Sequence, residues 1–228
     1  MLNRKLAAWF VHAYTALGGL IGMFALFAAA EGHIERAFLL LIVTMLIDAT
    51  DGILARIVRV REALPDFDGA MMDNVIDVLT FVWVPVFIIW KEHLTPDPLW
   101  IIAPILAALY AYGQINMKTE DSYFLGFPSY WNVVALYLYW LQPEPIFAVL
   151  IIVAPAVLTF IPTRYLYPSK NQILWKTTWG LGAIWVALVI YLLTQQNPQS
   201  SLIWLSLFYP IYYMAASFYI DQKLRGTT

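Results

Sequence analysis

The sequence predicts an all-α polytopic membrane protein with eight transmembrane helices. Of its 228 residues, 61% are hydrophobic and only 12% are charged, about half the charge of a typical soluble domain. The apolar residues fall in runs long enough for a bilayer core of about 30 Å, which takes roughly 20 helical residues to cross. The basic residues sort to one side of those runs.

Spans are expected near residues 7–30, 36–58, 67–90, 98–116, 129–142, 145–166, 173–194 and 200–221. The first follows Arg4 and Lys5 and ends at Ala28, Ala29 and Ala30, which superficially suggests a cleaved signal peptide. Its apolar stretch is longer than the roughly 7 to 15 residues of a signal core, so an uncleaved helix is expected. The second and third carry most of the intramembrane acid. The fifth, bounded by Pro128 and Pro143, is short, and crosses fully only if tilted or if Phe124 to Phe127 belong to it. The last two are rich in aromatics. With the N-terminus in the cytoplasm, Arg4, Lys5, Arg56, Arg59, Arg61, Lys118, Arg164, Lys170, Lys176, Lys223 and Arg225 lie inside, while only Arg36 and Lys91 lie outside. That asymmetry predicts both termini in the cytoplasm.

The net charge of -2 gives no electrostatic footing for nucleic acid, and the absence of cysteine removes disulfides, thiolate metal sites and cysteine nucleophiles. Carboxylates are concentrated instead. Asp48, Asp51, Glu62, Asp66, Asp68, Asp73 and Asp77 fall close together, four of them inside apolar helices. An ionised carboxylate in hydrocarbon costs about 2.5–3.5 kcal/mol, so four require cations or a polar cavity. Hard oxygen ligands without sulfur or clustered histidine favour Mg2+ or Mn2+ over zinc.

Spacing puts these groups on facing stripes. At about 100° per residue, Asp48, Asp51, Gly52, Ala55 and Arg56 share an arc roughly 140° wide, and Gly69, Asp73 and Asp77 recur every four residues. The second span runs inward and the third outward, so all four aspartates lie within about 12 Å of the cytoplasmic ends. The expected active site is an acidic cup between helices two and three. Gly52, Ala55 and Gly69 are small where a ligand would approach backbone, or where helices pack. Arg56 is a phosphate ligand or an orientation signal.

The run Asp48-Ala49-Thr50-Asp51-Gly52-Ile53-Leu54-Ala55-Arg56, then Gly69-Ala70-Met71-Met72-Asp73 and Asp77, resembles the signature of the CDP-alcohol phosphotransferase family, D-x2-D-G-x2-A-R followed by G-x3-D-x3-D. Arg56 and Gly69 are separated by twelve residues, a longer gap than is usual in the family and similar to that of its bacterial phosphatidylcholine synthase branch. Val11-His12-Ala13-Tyr14-Thr15, Gly126 to Asn132, and Tyr165-Leu166-Tyr167-Pro168-Ser169 resemble stretches of the same branch.

The resemblance implies a single membrane-embedded domain over residues 1–228, with a core near 7–194 and one or two branch-specific helices after it. It implies phosphatidyl transfer from CDP-diacylglycerol to choline with release of CMP, in a bacterial inner membrane. Asp48, Asp51 and Asp73 become metal ligands for two ions of Mn2+ or Mg2+, with Asp77 both near the metals and the base for the choline hydroxyl. Gly52, Ala55, Arg56 and Gly69 would meet CDP-diacylglycerol. His12 and Thr15 would touch its nucleotide or else bond within the helix bundle. A homodimer is one assembly to expect. Choline is a quaternary ammonium recognised by aromatic faces, and Tyr130, Trp131, Asn132 and Tyr165 are the expected contacts. Lys118, Arg164 and Lys170 would attract anionic lipid or phosphate, or simply satisfy sidedness. Inositol, glycerol 3-phosphate or serine as acceptor, and a cation transporter, are the rival readings.

Overall fold

The computed structural model describes residues 2–119, 123–168 and 174–225. Helix α1 (Leu2–Ala30) lies antiparallel to α2 (Ile34–Val58), followed by the short α3 (Val60–Ala63). Next come α4 (Gly69–Asp77), a π-helical turn (Val78–Trp83) and α5 (Val84–Lys91), which together form one continuous rod. A 3-10 turn leads into α6 (Ile102–Gly113), then strand β1 (Tyr123–Leu125), α7 (Trp131–Leu141), α8 (Pro145–Thr159) and strand β2 (Arg164–Leu166). The chain closes with α9 (Trp175–Leu193), α10 (Ser200–Ser206) and α11 (Phe208–Arg225).

Among the described residues, five helical stretches are long and apolar enough to cross a membrane: Asn3–Ala30, Ile34–Val58, Gly69–Lys91, Trp175–Leu193 and Ser200–Arg225. Pro98–Gly113, Trp131–Leu141 and Pro145–Thr159 are shorter apolar helices. All eight expected segments are therefore helical, but three fall below full spanning length. The 11 residues of α7 reach only about 16 Å at 1.5 Å per residue.

The expected all-α character holds, with one short addition, β1 and β2 pairing antiparallel with Phe124 opposite Tyr165. Phe124 accordingly belongs to a strand and does not lengthen the fifth helix. The sixth helix, expected to reach residue 166, stops at Thr159. Pro162 cannot continue it, and Arg164–Leu166 are claimed by the strand. The last helix breaks at Leu207, where Pro210 has no N–H for the Ser206 carbonyl.

The two ends of the bundle are tied differently. At one, Arg4 bonds the Val58 carbonyl at 3.1 Å and Glu62 at 2.8 Å. That partner holds the exposed Glu62 carboxyl below its usual range. At the other, Lys91 donates to the Ala30 carbonyl and the Tyr139 hydroxyl to Glu35. The main core, including Ala25, Ala29, Phe38, Leu41, Ile88, Leu138, Ile152 and Trp185, lies toward this second end. The carboxylates gather nearer the first.

Candidate active site

Oxygens of Asp48, Asp73 and Asp77 lie within 4.8 Å of one another, close enough to hold one metal ion. They come from neighbouring helices, α2 for Asp48 and α4 for the other two. With Thr15, Gly18, Thr44, Ile47, Asp51, Ile76 and Thr80 they line a cavity of about 10 Å3, roughly the room for one water-sized centre. Asp68 starts α4 by accepting the Met71 N–H at 3.0 Å, a cap that fixes where Asp73 and Asp77 fall on the helix. Directly after Asp77 the helix widens into the π turn. Pro85, one residue into α5, cannot donate to the Phe81 carbonyl, so the regular ladder is already broken there. Such turns recur at functional sites, where they re-aim side chains.

Small residues on α1 allow that turn to come close. A Cβ on Gly22 would lie 2.7 Å from Thr80 Cγ2, and one on Gly19 would lie 3.2 Å from Ile76 Cγ1. The sequence carried a readable signal here, Gly18-x-x-x-Gly22, a small-residue spacing typical of membrane helix contacts.

Asp51 lines the same cavity but falls outside the set whose oxygens meet within 4.8 Å. It is buried, and its Oδ2 accepts a 2.8 Å hydrogen bond from Thr15 Oγ1, which also contacts its own helix at Val11 O. Thr15 is thus an orienting partner of Asp51. His12 is buried against Phe67, with ring centroids 4.4 Å apart, and edge-on to Trp9 at 5.8 Å. Its Nε2 has no hydrogen-bond partner among the described residues.

The three small motif residues have distinct surroundings. A Cβ on Gly69 would sit 2.4 Å from His12 Cε1, so the imidazole occupies the space that the missing side chain leaves. Gly52 is open, with only Arg56 Nη1 at 3.5 Å from its would-be Cβ. Ala55 packs against the small cluster of Ala8, Val11, Val60 and Ala63. Arg56 is exposed at the end of α2.

Residues distant in sequence complete the rim. Lys118 Nζ lies 3.7 Å from Asp73 Oδ2 and 5.8 Å from the Tyr167 ring centroid. Burial works against this ammonium, but Tyr167, Asp77, Asp73 and Asp48 outweigh it and raise its pKa above the ordinary lysine value. The sheet beside it is stitched to α11: Asp221 accepts the Arg164 N–H at 3.0 Å, Ser217 Oγ the Leu166 N–H at 3.1 Å, and the Tyr213 hydroxyl donates to Leu166 O at 2.7 Å. Arg225 pairs with Asp221 at 2.7 Å. Arg164 also reaches Asp221, at 3.9 Å, and so points into this clasp. Ser169 and Lys170 lie outside the described residues.

Of the expected acceptor contacts, Tyr130 packs between Phe81 at 6.0 Å and Tyr213 at 5.4 Å, within the electrostatic range of Asp48. Trp131 and Tyr165 are fully enclosed around Phe127. The Trp131 indole N–H and the Tyr165 hydroxyl find no partner among the described residues. Burial pushes the Tyr165 hydroxyl up to about 12. Asn132 Oδ1 accepts its neighbour's N–H from Val133 at 2.9 Å, a local bond at the start of α7. A larger cavity of about 260 Å3 lies between the π turn and α6, lined by Val78, Val82, Trp83, Ile105, Leu109 and Tyr112 among others. It is apolar except for Tyr112, whereas the smaller one is lined by four carboxylates.

The family model described as CDP-alcohol phosphatidyltransferase matches residues 12–212. A phosphatidylcholine synthase of Legionella pneumophila is 36% identical, the alignment covering 96% of this chain and 90% of that protein. One from Pseudomonas aeruginosa is 34% identical over 84% of this chain and 82% of its own. One from Bradyrhizobium diazoefficiens is 35% identical over 83% and 72%.

Proposed function

The chain belongs to the CDP-alcohol phosphatidyltransferase family, and we propose that it transfers the phosphatidyl group of CDP-diacylglycerol to choline, giving phosphatidylcholine and CMP. The observation that carries this reading is the meeting of Asp48, Asp73 and Asp77 within 4.8 Å on adjoining helices. Their donor set is all carboxylate oxygen, which suits Mg2+ or Mn2+. When bound, such ions, two in this reading, would neutralise the diphosphate and ease loss of the acceptor's proton.

The chain's own residues supply position and proton transfer. Asp48, Asp51 and Asp73 would hold the ions, with Thr15 orienting Asp51 through its 2.8 Å bond. Arg56, beside the open backbone at Gly52 and with Ala55 one turn along, would meet the nucleotide end of the donor, as would His12. Gly69 serves that end indirectly, by admitting the His12 ring. Asp77 would accept the choline hydroxyl proton as its oxygen bonds the diacylglycerol-linked phosphorus and the bond to CMP breaks. For the quaternary ammonium, Tyr130 offers an aromatic ring packed between Phe81 and Tyr213, backed by Trp131, Asn132 and Tyr165.

In this reading the eight helices form one domain that crosses the bacterial inner membrane, with both termini and the acidic cup facing the cytoplasm. Purified protein in lipid nanodiscs, supplied with CDP-diacylglycerol and Mn2+, should release CMP with choline and not with inositol, glycerol 3-phosphate or serine. Release with another acceptor would keep the aspartate chemistry and reject choline. No metal-dependent release with any of them would reject the transferase reading.

A further inference from the structure

Among the described residues, Lys118 reaches the carboxylate cup from outside the two motif helices. Lys118 follows α6 and is held in place by backbone bonds, Leu125 N–H to Met117 O at 3.0 Å and Thr119 N–H to Tyr123 O at 2.9 Å. A further bridge pairs Lys118 with Phe124 of β1. Because β1 pairs with β2, and β2 is fastened to α11 through Asp221, Ser217 and Tyr213, the lysine is anchored to the far end of the chain. Its side chain retains only 28% exposure, and the facing Asp73 side chain 26%.

We propose that Lys118 is a resident counter-ion of the cup, which yields Asp73 to a divalent ion and then binds the diphosphate of CDP-diacylglycerol. This rests on the metal-dependent transfer proposed above. An ammonium and a divalent ion cannot share one carboxylate without strong repulsion at such distances. Lysine suits the exchange because it is a compact charge with three donors on a flexible stem. The Tyr167 face, 5.8 Å from Nζ, stabilises the ammonium on that side while it changes partner. Once Asp73 is occupied, the donor's diphosphate is the anion that the cup itself brings within reach, and a charge-assisted bond to it follows.

The proposal predicts effects of opposite sign from one substitution. Lys118→Gln removes the competitor, so Mn2+ binding without lipid substrate should tighten by roughly two- to fivefold, the scale of a partly exposed ion pair. The same change removes a bond to a charged group, so KM for CDP-diacylglycerol should rise roughly tenfold while KM for choline stays within about twofold. Lys118→Arg, which keeps the charge, should restore both values most of the way. The measurement is Mn2+ titration of the full chain in nanodiscs, read by the electron paramagnetic resonance of free ion, followed by steady-state CMP release. Unchanged or weaker Mn2+ binding in Lys118→Gln, or a rise in choline KM instead, would overturn the role of Lys118. Asp48→Asn in the same titration separates the two ideas. Loss of Mn2+ there leaves the metal reading standing whatever Lys118 does, and retention of Mn2+ rejects that reading itself.

Discussion

Gly69→Ala tests how the His12 side of the cup is built. The new Cβ would lie 2.4 Å from His12 Cε1 and 3.1 Å from Nδ1. The ring has little room to withdraw, being 4.4 Å from the Phe67 ring centroid and 5.8 Å from that of Trp9. Overpacking of this kind costs about 1–3 kcal/mol, and alanine returns up to about 1 kcal/mol as a better helix former. A net loss of about 1–2 kcal/mol corresponds to roughly 2–8 °C in Tm for a chain of this size. Tryptophan fluorescence during heating in nanodiscs provides the readout. In a His12→Ala background the same glycine change should cost nothing or stabilise, giving a coupling of about 1–3 kcal/mol. Equal Tm losses in both backgrounds would refute the claim that Gly69 is small for His12. A raised KM for CDP-diacylglycerol with unchanged Tm would instead mean that Gly69 admits the nucleotide directly.

Thr15→Val removes the hydroxyl that bonds Asp51, and should lower kcat/KM roughly tenfold or more, with Thr15→Ser restoring it. Asp77→Asn should reduce kcat by at least roughly a hundredfold with little change in Tm, checked by CMP release and thermal unfolding on the same preparation. Gly126→Ala should unfold or strongly destabilise the protein, because Gly126 has φ of 82° and its Cβ would fall 2.3 Å from the Thr159 carbonyl oxygen. Expression and Tm report that loss directly.

Local sequence spacing made the eight helical segments and the acidic face legible. The four-residue steps from Gly69 to Asp73 to Asp77 read directly as one stripe, because helical geometry alone fixes them. The grouping within that face was not legible. Asp48 joins Asp73 and Asp77, whereas Asp51 turns to Thr15, a choice made by the approach of α1. Likewise the sheet joins two three-residue strands separated by two helices, and nothing in either short run announces the other. That pairing helps to carry Lys118 to Asp73, which explains why a lysine that reads as an ordinary inside charge becomes part of the rim. The break before Phe208 and the early stop of α8 had readable causes in Pro210 and Pro162, which a hydropathy reading passes over.

The most direct test is choline-dependent CMP formation from CDP-diacylglycerol by the purified chain, measured before chelation, after chelation and after Mn2+ is returned, alongside Asp73→Asn. The account predicts loss of CMP on chelation, recovery with Mn2+ in the wild-type protein, and no recovery in Asp73→Asn. Full CMP formation in the chelated protein, or in Asp73→Asn, would contradict it.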